Sequence, residues 1–353
     1  MKILLLSRYS HLGASSRVRF YQYLPYLKTQ GIHVTVANLV GNDYIEDLYA
    51  GRRKRFAAII GAYIRRLGYL LKSNRYDLLW VEYEILPWLP AWGEALLYHL
   101  GIPYVVDYDD AVFHRYNMHS RAMVRVLLGS KIDAVMRHAE LVIVGNEYLG
   151  DCARKADAKR VECIPSVIDL NRYNLTLQHK NPVFTIGWIG SPVTAKYLNL
   201  IKPAIIQFYK EGNSALSVVG GGHVELDELP VRIIPWSEKT EVADIWDFDV
   251  GIMPLPDSPW ERGKCGYKLI QYMACGKPVV ASPVGANTEI VEHGVNGFLA
   301  ESAEEWLEAL TVLRDDPDLR KKMGTEGRRI VERKYCLQVT APLLVSLLMS
   351  VTR

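Results

Sequence analysis

The residues with the clearest capacity for chemistry lie in 260–285, WERGKCGYKLIQYMACGKPVVASPVG. At about 100° per residue, Lys264, Lys268 and Gln271 fall in one sector of a helix that starts near Gly266, while Leu269, Ile270 and Met273 point the other way. The polar row suits a ligand and the apolar row a core. The same row also fits an ordinary amphipathic helix with solvated lysines. A helix start presents unpaired N–H groups and a partial positive charge, which favours a diphosphate. Gly263 and Gly266 let the backbone approach an anion closely. Gly276, Lys277 and Pro278 then stop the helix. VVASPVG reads as a buried strand that enters a glycine loop before a further helix over 287–292.

Other segments carry polar groups at strand ends. GWIGSPVTAKYL at 187–198 is a buried strand, a turn with Gly190 and Ser191, and a helix with Lys196, which reads equally as a plain strand-to-helix turn. VVGGGH at 218–223 ends a strand in three glycines, and IIPWSEKTEV at 233–242 brings Trp236, fit for stacking or for packing. Near the start, SRYSHLGASSRVR places Gly13 among small residues, with Arg17 and Arg19 following. A strand at 104–106 opens into Asp107, Asp109 and Asp110, then His114. Acids gathered on a strand-end loop are costly unless solvated, paired or functional. Asp109 or Asp110 is expected to face a substrate, against an Asx-turn role. Glu82 and Glu84, at the end of the preceding strand, are candidates for acceptor hydroxyls.

Strands at the carboxyl ends of which these residues sit are expected at 2–6, 33–37, 78–81, 104–106, 141–144 and 161–164, and again at 184–189, 216–219, 232–234, 250–253, 278–281 and 297–299. Helical patterns separate them, so each half reads as a parallel sheet with crossover helices. The polar stretch 169–182 reads as a linker. The expected domains are 1–172 and 183–336, with an apolar helix over 337–353 returning to the first. Ligands of open parallel sheets sit beyond the strands' carboxyl ends, so two such sheets are expected to face a central cleft.

The 353 residues exceed what one core usually supports, roughly 250–300. With 49% hydrophobic and 23% charged residues the chain is of globular type. Five cysteines without CxxC spacing and scattered histidines give neither a disulfide framework nor a zinc pattern. Free thiols and a start that runs straight into a strand point to the cytoplasm. A net charge of +3 argues against nucleic acid as a partner. The charge is uneven, however. Residues 52–72 hold Arg52, Arg53, Lys54, Arg55, Arg65, Arg66 and Lys72 with no acid, interleaved with apolar residues. Such a helix either lies on anionic lipid, at the inner face of a membrane, or packs its apolar stripe on the core.

The run KLIQYMACGKPVVASPVGANTEIVEHGVNGFL, followed by DPDLRKKMGTEGRRIVERKY, resembles the signature of the retaining GT-B glycosyltransferases of family 4 over nearly the whole second half. The resemblance implies an α/β GT-B fold of two Rossmann-like doubly wound domains. It implies a metal-independent hexosyltransferase-type enzyme without a cofactor, acting on a nucleoside-diphosphate sugar and a saccharide or lipid-linked acceptor, as in cell-surface polysaccharide synthesis. By the same resemblance Gly13, Gly190, Ser191, Lys196, Trp236, Arg262, Lys264, Cys265, Gly266, Tyr267 and Gln271 bind the donor. Asp109, Asp110, Glu261 and Lys268 serve catalysis. Arg17, Glu82, Glu84 and His114, placed at or near strand ends of the first half, are the candidates to face the acceptor.

Two positions depart from the family pattern. Its second glutamate, which holds ribose, falls on Gln271, and its first, which contacts the donor sugar, falls on Gly263, with Glu261 two residues earlier. Gln271 retains hydrogen-bonding capacity without the carboxylate's charge. The missing first glutamate keeps open a protein that binds or isomerises a nucleotide sugar without transfer. An oxidoreductase on paired Rossmann units would require G-x-G-x-x-G after the first strand, which Gly187 and Gly190 do not supply.

Overall fold

The computed structural model describes residues 1–49, 51–52, 56–173, 183–212, 214–222, 224 and 229–352. Contacts divide the chain into two compact units. One comprises Met1–Ser166, Arg262–Cys265 and Thr340–Arg353; the other comprises Val167–Glu261 and Gly266–Val339. The division departs from a break at 172/183 for a local reason. The Ile168 N–H donates to the Tyr335 carbonyl, the Gln338 amide donates to Asp169 at 2.7 Å, and Arg172 pairs with Glu241 at 2.9 Å, so 167–172 sort with the second unit. Of the expected linker, 174–182 lie outside the described residues.

The first unit holds β1 (Lys2–Leu6), β2 (His33–Val36), β3 (Leu78–Glu82), β4 (Tyr104–Tyr108), β5 (Leu141–Val144) and β6 (Val161–Cys163), all parallel in the order β2-β1-β3-β4-β5-β6. The near-continuous apolar runs ILLL of β1 and LLWV of β3 are buried on both faces, as a helix-covered parallel sheet requires. The strand order reverses between β1 and β3. Ligands of such sheets bind beyond the carboxyl ends at that switch, here the loops after Leu6 and Glu82.

The second unit repeats the plan with β7 (Phe184–Ile189), β8 (Ser214–Val219), β9 (Val231–Ile234), β10 (Val250–Met253), β11 (Val279–Ala281) and β12 (Gly297–Leu299), in the order β12-β11-β10-β7-β8-β9. Its switch falls between β7 and β10, at the Gly190–Ser191 turn and the loop entering 254–266. Helix ends are closed by their own sequence signals. Ser302 and Glu305 form a capping box for the helix Ala303–Asp315, and Asp316 caps Pro317–Lys334.

The helix Phe56–Leu70 carries the two expectations for 52–72. It buries Ala62, Arg66 and Leu70 but leaves Phe56, Ile60 and Ile64 exposed, so its apolar stripe is not spent on the core. Arg66 is not one of the outward cations. It is buried with its guanidinium donating to the Ser7 carbonyl at 2.5 Å, and burial lowers its pKa to about 10. Arg53, Lys54 and Arg55 lie outside the described residues. Among the described residues no helix is long and apolar enough to cross a membrane.

Candidate functional site

In the second unit, β7 ends beside a cation. The Lys268 ammonium lies 4.1 Å from the ring centroid of Trp188 and 3.5 Å from Thr194 Oγ1. A Cβ on Gly190 would stand 2.8 Å from that ammonium and 2.5 Å from the Trp188 ring, so the glycine is what admits the lysine to the strand end. Ser191 precedes the helix Pro192–Ala195 as its N-cap. Gly220, at φ +75°, brings the turn after β8 against the Gly190 carbonyl, where a Cβ would lie 2.4 Å away. His223 lies outside the described residues.

Lys268 reaches this place from the first turn of the helix Tyr267–Ala274. Its N-cap is Gly266 in the left-handed region at φ +63°, where a Cβ would also meet Ile290 Cδ1 at 2.3 Å. The amides of Tyr267 and Lys268, the first two of the helix, precede its hydrogen-bond ladder and form its electropositive end.

The expected row of Lys264, Lys268 and Gln271 is not one row. Helical periodicity begins only after Gly266, so Lys264 is outside it and counts with the first unit. Gln271 is buried. Its amide donates to the Tyr173 hydroxyl at 3.0 Å and to Glu241 at 3.5 Å. Glu241, also buried, further accepts from the Trp236 indole at 3.0 Å and from Arg172 at 2.9 Å. Trp236 is thus anchored by its N–H with its ring half-buried. Lys196 is exposed, its ammonium 5.3 Å from the ring of its neighbour Tyr197. Tyr267 is half-buried. Glu261 is buried and accepts hydrogen bonds from Tyr197 and Ser258, which commits its two oxygens within the unit and leaves it poorly placed to substitute for the absent first glutamate.

The first unit assembles a different set. Asn146 caps the helix Glu147–Lys155 through Oδ1 while its Nδ2 donates to the carbonyls of Arg262, at 3.2 Å, and Lys264, at 3.0 Å. This pins 262–265 against the turn after β4. Lys264 Nζ lies 3.5 Å from Asp110, and the Cys265 thiol lies 3.2 Å from the Asp109 carbonyl. Burial drives that thiol's pKa well up, so Cys265 is a packed thiol rather than a charged contact. The Arg262 side chain is exposed.

Asp109 accepts from Ser15 at 2.8 Å and from the Tyr83 hydroxyl. Tyr83 follows β3 at φ +62°, a conformation unusual for a bulky residue, and its carbonyl accepts from Tyr108 at 2.8 Å. Burial raises the Asp110 carboxyl to about 6 against the pull of Lys264. Asp107 is not in the acidic loop. β4 continues through it, and it is buried in a two-pronged pair with Arg19, at 2.8 and 3.2 Å. Arg19 is correspondingly structural.

Glu82 and Glu84 differ sharply. Glu82 Oε2 accepts from the Arg8 amide and the Ser16 hydroxyl, both at 2.6 Å, whereas Oε1 is buried without a partner; burial lifts the carboxyl to about 7. Glu84 is saturated, contrary to its expected role with an acceptor. It pairs with Lys131 at 2.5 Å and Arg8 at 3.2 Å and accepts from Tyr116 at 2.8 and 2.9 Å. His114 has both ring nitrogens engaged, with Asn117 at 2.9 Å and Tyr148 at 2.8 Å. Arg17 is buried and reaches the His11 carbonyl at 3.4 Å. Gly13 caps the helix Ala14–Arg19 where a Cβ would lie 2.3 Å from that of Tyr9. Among the described residues, no group of three His, Cys, Asp or Glu is placed to hold a metal ion. Reading the sequence missed Ser15, Tyr83, Asn146, Tyr173, Trp188 and Glu241. Only Glu241 carried a signal, an acid directly after Thr240 at a helix start.

The comparisons bear on both units. The model described as Glycosyl transferases group 1 matches residues 183–316. D-inositol 3-phosphate glycosyltransferase of Pseudarthrobacter chlorophenolicus is 31% identical over 102 residues, 28% of this chain and 23% of that protein. N-acetyl-alpha-D-glucosaminyl L-malate synthase of Bacillus anthracis is 31% identical over 78 residues, 21% of this chain and 20% of that protein. The chain thus spans less than a quarter of the length of these curated relatives. Among solved structures, sucrose-phosphate synthase from Thermosynechococcus elongatus superposes with TM-score 0.75 at 17% identity, covering 99% of this chain and 98% of that one. Anabaena HepE in complex with UDP-glucose gives TM-score 0.72 at 18% identity, with 99% and 100% covered. At these identities the likeness establishes fold. The chain therefore has the GT-B fold, and its residues 183–316 match the model of the glycosyl transferases group 1 family.

Proposed function

We propose that the protein is a glycosyltransferase that moves a sugar from a nucleoside diphosphate to a saccharide or lipid-linked saccharide acceptor, with retention of anomeric configuration. The observation that carries the reading is the Lys268 ammonium held at the end of β7 over Trp188, on a side chain from the first turn of its helix. A cation beside the electropositive start of a helix at a sheet's switch point suits a diphosphate leaving group. UDP is the first nucleotide to try, because HepE, which shares the fold, was solved with UDP-glucose.

In the proposed step the acceptor hydroxyl oxygen forms a bond to the anomeric carbon as the bond from that carbon to the phosphate oxygen breaks. The hydroxyl proton passes to the departing phosphate, on the face the acceptor approaches. The protein contributes position and charge. Lys268 and the Tyr267 and Lys268 amides neutralise the diphosphate, without a metal. Gln271, braced by Glu241, accepts a ribose hydroxyl. Asp110, paired with Lys264, is assigned to the acceptor. Such an acceptor belongs to cell-surface polysaccharide synthesis, and 52–72 are assigned to peripheral contact with an anionic membrane where it would be met.

A second reading, binding or isomerisation without transfer, is favoured by one observation: Gly263 supplies no carboxylate. Thermal-shift and calorimetric titration with UDP, GDP, ADP and their sugars tests the first reading, and stabilisation by at least one is expected. No response to any of them overturns the donor site. Product analysis with the responding nucleotide sugar and mixed saccharide acceptors then separates transfer from binding.

A further inference from the structure

Two helices of the first unit turn apolar side chains outward. On Phe56–Leu70 and just beyond it, Phe56, Ile60, Ile64 and Leu71 are 78%, 59%, 64% and 84% exposed. Steps of four place the first three in one stripe. On Ala122–Leu128, Met123, Val126 and Leu127 are 73%, 82% and 67% exposed. Trp88, 48% exposed, lies in the loop after β3, and Trp92, 67% exposed, opens the helix Trp92–His99.

Contacts within the unit join these elements. The Tyr63 hydroxyl, on the first helix, donates to the Pro87 carbonyl at 2.5 Å. Next to it the Trp88 amide donates to the Tyr116 hydroxyl at 3.1 Å, and its indole stands edge-on to Tyr116 and His119 at 5.3 and 5.8 Å. Tyr116 belongs to the turn of helix that precedes Ala122–Leu128. On the other side, a Cβ on Gly93 would lie 3.6 Å from Leu70 Cδ1, which sets the start of the Trp92 helix against the end of the first one.

The charge is as one-sided as the apolarity. Residues 51–76 contain no acid, and neither do 111–132, while Arg65, Lys72, Arg75, Arg115, Arg121 and Arg125 lie within them. The geometry points to a bilayer-docking face formed jointly by the helices Phe56–Leu70 and Ala122–Leu128 and the tryptophans between them, its occupant an anionic lipid surface. Outward aliphatic groups enter the headgroup boundary, indoles sit at its edge, and the arginines and lysine meet lipid phosphates. A second copy fits worse, because pairing this face with itself sets cations against cations. The inference rests on the membrane reading of 52–72, extends it to a second helix, and is independent of whether sugar is transferred.

Flotation of the full chain with phosphatidylcholine vesicles, with and without phosphatidylglycerol, tests it. Three proteins are compared: wild type, Ile60→Ser/Ile64→Ser, and Met123→Ser/Val126→Ser/Leu127→Ser, each checked for unchanged thermal midpoint. The substituted residues are exposed, so folding should survive. Wild type is expected to float with the anionic vesicles, and each variant to lose about tenfold or more in partitioning, the scale of a few partly inserted side chains. Loss in the first variant alone overturns the joint face and leaves the membrane reading of 52–72 standing. No flotation of wild type overturns both. A concentration-dependent dimer in light scattering that dissociates in the second variant assigns the face to a second copy and likewise overturns the proposal.

Discussion

Gly263 and Ala111 touch backbone to backbone: a Cβ on Gly263 would lie 2.5 Å from the Ala111 Cβ and 2.7 Å from its nitrogen. The absent glutamate of the family motif is therefore a consequence of packing. No side chain fits while Asn146 holds 262–265 against the turn after β4. Gly263→Glu is expected to lower the thermal midpoint, with an overpacking cost of about 1–3 kcal/mol, and to leave donor affinity no better. Gly263→Ala should show most of the same loss. A Gly263→Glu protein of unchanged midpoint and tighter sugar binding would show that the segment yields.

Gln271 replaces a carboxylate next to one already present. Because Glu241 accepts from its amide, the Gln271 nitrogen is turned inward, toward Glu241 and Tyr173, and the amide oxygen is left as the acceptor. Restoring the family's residue as Gln271→Glu sets two carboxylates together in a buried place, which disfavours ionising both. It is expected to weaken nucleotide binding and stability, whereas Glu241→Gln/Gln271→Glu recovers much of the loss. Coupling of about 1–3 kcal/mol in the double-mutant cycle, read by denaturation and by titration with the responding nucleotide, is the expected size. Additive losses would show that the two residues act separately.

Glu82 gives a pH signature. Its usual 4.5 rises to about 7 through burial. Below pH 4.5 folded and unfolded chains both hold the proton. Between 4.5 and 7 only the folded chain retains it, so the contribution of this group to stability falls as pH rises, and above 7 the full cost of the buried charge is present. Glu82→Gln removes the titration and keeps the shape. Its stability relative to wild type should grow by about 3 kcal/mol between pH 4 and pH 8 in chemical denaturation. A difference that is flat with pH would mean that the buried carboxylate carries no such penalty.

The fold was largely readable from the chain because buried parallel strands write themselves as short apolar runs. All twelve expected strands form, with ends displaced by two residues or fewer. One of the two largest displacements has a clear cause: β4 runs on through Asp107 because Arg19 neutralises it, a pairing across distant sequence that no periodicity encodes. The site was readable where a glycine or a helix start marked it, as at Gly190, Gly266 and Lys268. It was not readable where a polar residue's fate depends on neighbours far along the chain. Glu82 and Glu84 are two residues apart at the same strand end, yet one is half-satisfied and the other sealed by Arg8, Tyr116 and Lys131. Lys264 misled because helical spacing was extended through Gly266, whose left-handed backbone ends it.

Gly190 offers the sharpest test of how Lys268 is placed. A methyl group there would stand 2.8 Å from the ammonium and 2.5 Å from the Trp188 ring, so either the lysine or the indole must move. The lysine is the flexible one. Gly190→Ala should thus displace the ammonium from the end of β7 and reproduce the defect of Lys268→Ala in titrations with a nucleoside diphosphate, a loss of about tenfold or more for one desolvated charge contact. Binding of the corresponding nucleoside, which has no phosphate, should change little in either variant. The two substitutions act on one contact, so Gly190→Ala/Lys268→Ala should bind the diphosphate about as well as either single variant. Additive losses would mean that Gly190 serves the ligand directly, by letting it approach the backbone, and does not act through the lysine.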